Sequence, residues 1–191
     1  MPEQRFSRET EAYLHTYEMI LEEMIQGMTE AELSDSISHN FIVQMIPHHR
    51  AAIQMSRNVL QYTDNAALRQ IAANIVEEQT RSIERMCEIA EGCGQLRNST
   101  RELAVYQQRI DRIKNVMFYQ MNHAAATERI DCDFMREMIP HHEGAVRMST
   151  VTLQYPICRE LKPVLERIII SQERGIRQMR RLQQQINCGR L

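Results

Sequence analysis

A stretch of sixteen residues occurs twice in this chain: Phe41-Ile-Val-Gln-Met-Ile-Pro-His-His-Arg-Ala-Ala-Ile-Gln-Met-Ser56 and Phe134-Met-Arg-Glu-Met-Ile-Pro-His-His-Glu-Gly-Ala-Val-Arg-Met-Ser149, identical at nine positions. The copies lie 93 residues apart, and the same offset pairs positions far outside the motif. Leu60-Gln-Tyr62 falls on Leu153-Gln-Tyr155, Leu68 on Leu161, Ile75 on Ile168, Gln79 on Gln172, Ile83 on Ile176 and Met86 on Met179. Upstream, Ile20 falls on Ile113, Met24 on Met117 and Met28 on Met121. A self-similarity this long is a tandem duplication, so both halves must solve the same folding problem and hide the same faces. The boundary falls near residue 95, giving units 1–95 and 96–191, which are expected to pack as one bundle.

Each unit reads as three helices. Glycine and proline are scarce, and Glu, Gln, Arg, Leu, Ile and Met lose little rotamer freedom in a helix. The first helix is predicted over about residues 7–28, where Tyr13, Tyr17, Ile20, Met24 and Met28 recur at three and four residues. The second follows the cap residues Ser34-Asp35-Ser36 and runs to about Tyr62; the third starts near Thr63-Asp64 and stops at Gly92-Cys-Gly94. Ser99 with Glu102 has the form of a capping box that opens the second unit. That unit repeats the plan over about 99–121, 127–154 and 156–187, with Pro156 suited to the first turn of the last helix. Amphipathic helices of this kind bury their stripes against one another. The expected fold is therefore all-α, a helical bundle whose second and third helices from both units form a pseudo-two-fold core, with the first helices on its flanks.

Several function classes drop out. A net charge of −2 with mixed signs gives no footprint for nucleic acid, and no apolar run is long enough to span a membrane. The first residues lack the apolar core of a signal peptide, so the chain reads as cytoplasmic. Five cysteines at spacings unrelated to the repeat read as free thiols, the alternative being pairing or metal binding at Cys87 and Cys93.

The chemistry lies in the motif. At 100° per residue, Met45, His48, His49 and Met55 fall within an arc of roughly 120° that also holds Phe41 and Val59, and Met138, His141, His142 and Met148 do the same in unit two. Imidazole with thioether suits copper, above all Cu(I), and the lack of carboxylates on this arc disfavours Ca²⁺ and Mg²⁺. The competing reading takes Met as core filler and His as a hydrogen-bonded core residue. Pro47 and Pro140 directly precede the histidines and predict either a kink or a break into shorter helices. Gln79 and Gln172 interrupt apolar stripes at matching places and need partners. An imidazole of the motif, held in one tautomer by the amide, is one candidate; a water-linked polar pair is the other. His15, His39 and His123 have no histidine counterpart in the repeat and read as surface residues.

The pattern Phe-x-x-x-Met-Ile-Pro-His-His-x-x-Ala-(Ile/Val)-x-Met, followed by Gln-x-x-x-Ile-x-x-Met, resembles the DUF305 family of ferritin-like helical proteins, some of which are implicated in copper binding and copper resistance. The resemblance covers both units. It implies a ferritin-like core and a role in metal handling, and it marks Met45, His48, His49, Met55 and Met86 with Met138, His141, His142, Met148 and Met179. Ser82 and Gly175 depart from it, standing where family members carry an acidic residue. Two alternatives remain at this level. One is a metal-free scaffold or dimerisation module, including a homodimer. The other is a ferritin-like di-iron oxidase, disfavoured because no Glu-x-x-His pair occurs.

Overall fold

The computed structural model describes residues 6–189. Its order is α1 (Arg8–Thr29), α2 (Ile37–Val59), α3 (Ala66–Cys93), α4 (Thr100–Asn122), α5 (Ile130–Thr152) and α6 (Leu161–Gln185), with no strand among the described residues. The caps fall close to where the sequence puts them. Ser7, Ser36 and Asn65 each accept a backbone N–H of the first turn, and Ser99 with Glu102 makes a reciprocal capping box.

The four long helices α2, α3, α5 and α6 form the core, α2 crossing α5 and α3 crossing α6, while α1 covers α2 and α4 covers α5. This is the pseudo-two-fold bundle that the duplication predicts, with the ferritin-like core that the family resemblance implies. The apolar stripes drive it: Tyr13, Phe41, Leu68, Tyr106, Phe134, Leu161 and Leu165 are each at most 1% exposed. Eleven of the thirteen methionines are buried, and ten of them are five repeat-related pairs: Met24/Met117, Met28/Met121, Met45/Met138, Met55/Met148 and Met86/Met179.

The flanking helices also tie the units together. From α1 the Tyr13 hydroxyl donates to Glu137 on α5 at 2.5 Å, and from α4 the Lys114 ammonium donates to Gln44 on α2 at 2.8 Å. Gln44 and Glu137 are equivalent positions of the repeat. The linker between the units is pinned at Asn98. Its side chain accepts the Ile37 N–H at 2.9 Å and donates to the Pro156 carbonyl at 2.9 Å.

Two expectations are corrected. The cysteines are not all free: Cys93 pairs with Cys158 and Cys132 with Cys188, leaving only Cys87 exposed and free. The partners are 65 and 56 residues apart and break the repeat, so their spacing carried no signal. Pro156 does not open α6 either. Helix α6 starts at Leu161, because Cys158 is held to Cys93 and its N–H is taken by Ser38 Oγ at 2.9 Å, which keeps residues 156–160 out of the helix. Helices α2 and α5 run on through Pro47 and Pro140 without a break. The Pro47 ring fits because Gly27 of α1 lies over it, where a Cβ would come within 2.9 Å.

Candidate metal centre

Helices α2 and α5 cross at their histidines. The His48 and His141 rings stack with centroids 3.6 Å apart, and each Nε2 reaches the other's backbone carbonyl, at 3.1 Å from His48 and 3.0 Å from His141. A carbonyl only accepts, so both rings carry the proton on Nε2 and turn a lone pair outward at Nδ1. His49 and His142 flank this pair, each 5.8 Å from its neighbouring ring. The Nδ1 atoms of all four imidazoles are buried without a hydrogen-bond partner among the described residues. Such orphaned groups cost about 1–3 kcal/mol each, so four of them at one crossing constitute an unspent donor set.

Burial holds these rings neutral. It pushes His49 down to about 3 and His141 down to about 4, and drives His48 and His142 well below the usual imidazole range, with the neighbouring histidines adding to the effect at His48, His49 and His142. Neutral imidazole is the ligand form, so the site would take a metal near neutral pH without first shedding protons.

The methionines fall into register with the histidines. Helices α2 and α3 are antiparallel, fixed by Ser36 Oγ to the Cys93 carbonyl at 3.0 Å, His49 Nε2 to Ser82 Oγ at 3.1 Å, and Arg69 to the Leu60 carbonyl at 3.2 Å. One turn from His49 is Met45, and one turn from Ser82 in the same direction is Met86. The two thioethers therefore share a level about 6 Å along the bundle from the imidazole. Gly175 lies against His142 and gives Met138 and Met179 the same relation in unit two. Met55 and Met148 lie on the far side of the histidines, about 9 Å along the axis from His49 and His142. All six are at most 1% exposed.

Gln79 and Gln172 are buried at 2% and 4% exposure, but neither amide meets an imidazole. Both atoms of Gln79 and the Oε1 of Gln172 lack partners; His49 bonds instead to Ser82, one turn further along α3. The two amides lie in a groove of about 860 Å³ between α3 and α6, which His49 also lines. His15 and His123 are exposed and His39 is half-buried, its ring bonded to the Glu32 carbonyl.

The sequence reading overlooked Glu137 and Asp133, each at most 2% exposed. Burial pushes Glu137 up to about 8, opposed by the Tyr13 hydrogen bond and helped by the charge of Asp133. The clue was available in the repeat, which sets Gln44 and Asn40 at these positions. Neither carboxyl serves as a bridging ligand: Glu137 is bonded to Tyr13, Asp133 to Thr127 and Arg136, and their counterparts in unit one are amides. Glu77 and Glu173 are exposed. Among the described residues the one grouping of three His, Cys, Asp or Glu donors is Cys93, Cys158 and Glu160, so the four imidazoles form no closed nitrogen cage. A metal here needs thioether sulfur to complete its shell, and that favours soft ions.

Solved structures with a similar fold include CopM in the Ag-bound form, obtained by soaking, at 26% identity and a TM-score of 0.60 over 80% of this chain and 98% of that one. CopM in the Cu(I)-bound form is 27% identical, with a TM-score of 0.57 over 81% and 98% of the two chains. A DUF305 fragment from Deinococcus radiodurans shares the fold at 22% identity, with a TM-score of 0.56 over 76% and 94%. No curated protein matches the chain. The family described as "Domain of unknown function (DUF305)" matches twice, over residues 3–90 and 39–183, spanning both copies of the His-His motif: the chain belongs to the DUF305 family.

Proposed function

We propose that this protein binds copper, as Cu(I), at the crossing of α2 and α5 and serves in metal handling. The observation that carries the reading is the set of four buried, neutral imidazoles with unpartnered Nδ1 atoms, set among repeat-paired methionines. His48, His49, His141 and His142 would supply nitrogen; Met45, Met86, Met138 and Met179 are the nearest sulfurs by register, with Met55 and Met148 beyond them. Gln79 and Gln172 stand behind the site as amides open to polar partners. The similarity to CopM, solved with Cu(I), Cu(II) and Ag, supports the choice of ion. Copper bound here would be held in a dry, soft environment that favours the monovalent state.

The two disulfides support a second proposal, that the chain folds in an oxidising compartment rather than the reducing cytoplasm expected from its sequence.

The test is an anaerobic Cu(I) titration against a chromophoric chelator, on protein without an affinity tag. Wild type should compete for Cu(I) and ignore Mg²⁺ and Ca²⁺. His48→Ala with His49→Ala should remove half of the bound copper if the units act separately, or all of it if they share one centre, while His15→Ala with His39→Ala should change neither. If a variant lacking all four motif histidines keeps full copper binding, these are core residues and the metal-free scaffold reading takes over.

A further inference from the structure

The two units are copies, yet their charges have diverged. Residues 1–95 carry 15 acidic and 7 basic side chains, a net of −8, whereas residues 96–191 carry 10 and 16, a net of +6. The contrast reaches the surface on α3 and α6. Arg167, Ile170, Arg174, Arg177 and Arg181 recur at three and four residues along α6 and are all exposed. Their repeat counterparts on α3 are Asn74, Glu77, Arg81, Glu84 and Glu88. With five acidic and three basic residues α3 has a net charge of −2, and with two and six α6 has +4. These helices also form the side of the bundle that is left bare. Helices α1 and α4 pack over α2 and α5, whereas no helix among the described residues packs over α3 and α6. Arg174 reaches across to Glu78, but Lys162 and Arg167 on α6, and Glu84 and Glu91 on α3, have no ion-pair partner among the described residues.

We infer that the α3–α6 face is where a second copy of this chain docks, as a two-fold dimer in which α3 of each copy lies on α6 of the other. The pair of Glu78 with Arg174 sets the two helices level, and the pseudo-two-fold makes them run in opposite directions. Six residues on from Glu78 is Glu84, and six residues back from Arg174 is residue 168, beside Arg167. By the same count Glu88 and Glu91 come level with residues 164 and 161, on either side of Lys162. A two-fold axis lying along the helices keeps these levels, so Glu84, Glu88 and Glu91 of one copy face Arg167 and Lys162 of the other. An axis running across the helices would stack α6 on α6, arginine on arginine. Charge therefore selects the first arrangement. Helices of 28 and 25 residues side by side cover about 40 Å by about 20 Å, or roughly 800 Å² on each copy, which is the size of a standard interface. Ile170, 64% exposed, lies near the middle of this face. The groove beside His49 opens in it too, so pairing roofs that groove.

The experiment is sedimentation velocity on full-length, metal-free protein with its disulfides intact, so it does not depend on the copper reading. Cys87→Ser is included to prevent a disulfide between copies. At low salt a dimer should form as concentration rises. NaCl at about 1 M, where the Debye length is about 3 Å, should return it to monomer. Lys162→Glu with Arg167→Glu should abolish the dimer, and so should Glu84→Arg with Glu88→Arg. An equimolar mixture of these two variants should sediment as a dimer again, because each supplies the charge that the other has reversed. Circular dichroism confirms that both variants are folded, and the salt series on the unreversed protein decides the matter if either is not. A protein that stays monomeric throughout, or a dimer that salt does not weaken, overturns the inference. So does either folded variant dimerising undiminished, or a mixture of folded variants that stays monomeric.

Discussion

The metal-free protein should be most stable near pH 6.5 and should lose several kcal/mol on acidification, because its core holds imidazoles that cannot take a proton in place. His49 and His141 have folded pKa values of about 3 and about 4 against an ordinary 6.5. Their contribution is therefore full above pH 6.5 and is lost as pH falls towards those folded values, since the unfolded chain binds protons that the folded one refuses. Glu137 works in the opposite sense. Its carboxyl is raised from 4.5 to about 8, so its contribution is complete below pH 4.5 and is lost as pH rises through about 8.

Taking about 1.4 kcal/mol per pK unit, moving from pH 6.5 to 4.5 removes about 2 kcal/mol at each of His49 and His141 and returns about 2 at Glu137. His48 and His142, shifted in the same direction as His49, deepen the loss. Urea unfolding followed by circular dichroism at a series of pH values should trace a dome with its acid limb falling by at least about 2 kcal/mol over that interval. Glu137→Gln should flatten the alkaline limb and steepen the acid limb by about 2 kcal/mol over that interval, because the offset from the carboxyl is gone. Stability that is level or rising from pH 6.5 down to 4.5 would refute the claim that these imidazoles are dry and neutral.

Other outcomes follow from the architecture. Residues 1–95 alone should fail to form a monodisperse, cooperatively melting monomer, because α2 and α3 would expose the face that α5 and α6 cover; gel filtration with a thermal melt checks this. Changing Cys93 and Cys158 together to Ser should lower stability by about 4 kcal/mol, from loop closure over a separation of 65 residues, measured by urea unfolding under oxidising conditions. Iron supplied as Fe²⁺ should be oxidised no faster than in buffer, since the buried carboxyls Glu137 and Asp133 are engaged by Tyr13, Thr127 and Arg136 and have amides as their repeat counterparts; an oxygen-consumption assay decides it.

The helices were legible because their signals are local. Ser7, Ser36 and Ser99 cap where a Ser precedes a 3.6-residue apolar period, and the duplication supplied the symmetry that arranges them. What escaped has no local signature. The disulfides join a helix end to a loop and another helix start to the tail, and only the folded bundle brings those points together. The histidine partners escaped for a similar reason. Gln79 is apt in chemistry, but the register of α2 against α3 sets Ser82 level with His49. The reciprocal bonds of His48 and His141 to each other's carbonyls depend on a helix crossing that composition cannot specify. Glu137 was hidden by its surroundings, since a Glu among Arg and Met reads as surface until Tyr13 is seen to arrive from another unit.

The clasp between His48 and His141 joins like to like, each half offering the same donor and the same acceptor. On separate chains such a contact would be an isologous interface, and its survival would depend on protein concentration. Here the short linker pinned at Asn98 makes the encounter intramolecular, at an effective concentration of the order of millimolar for a short tether. The four imidazoles therefore stay assembled however dilute the protein becomes, and their encounter never waits on two subunits finding each other.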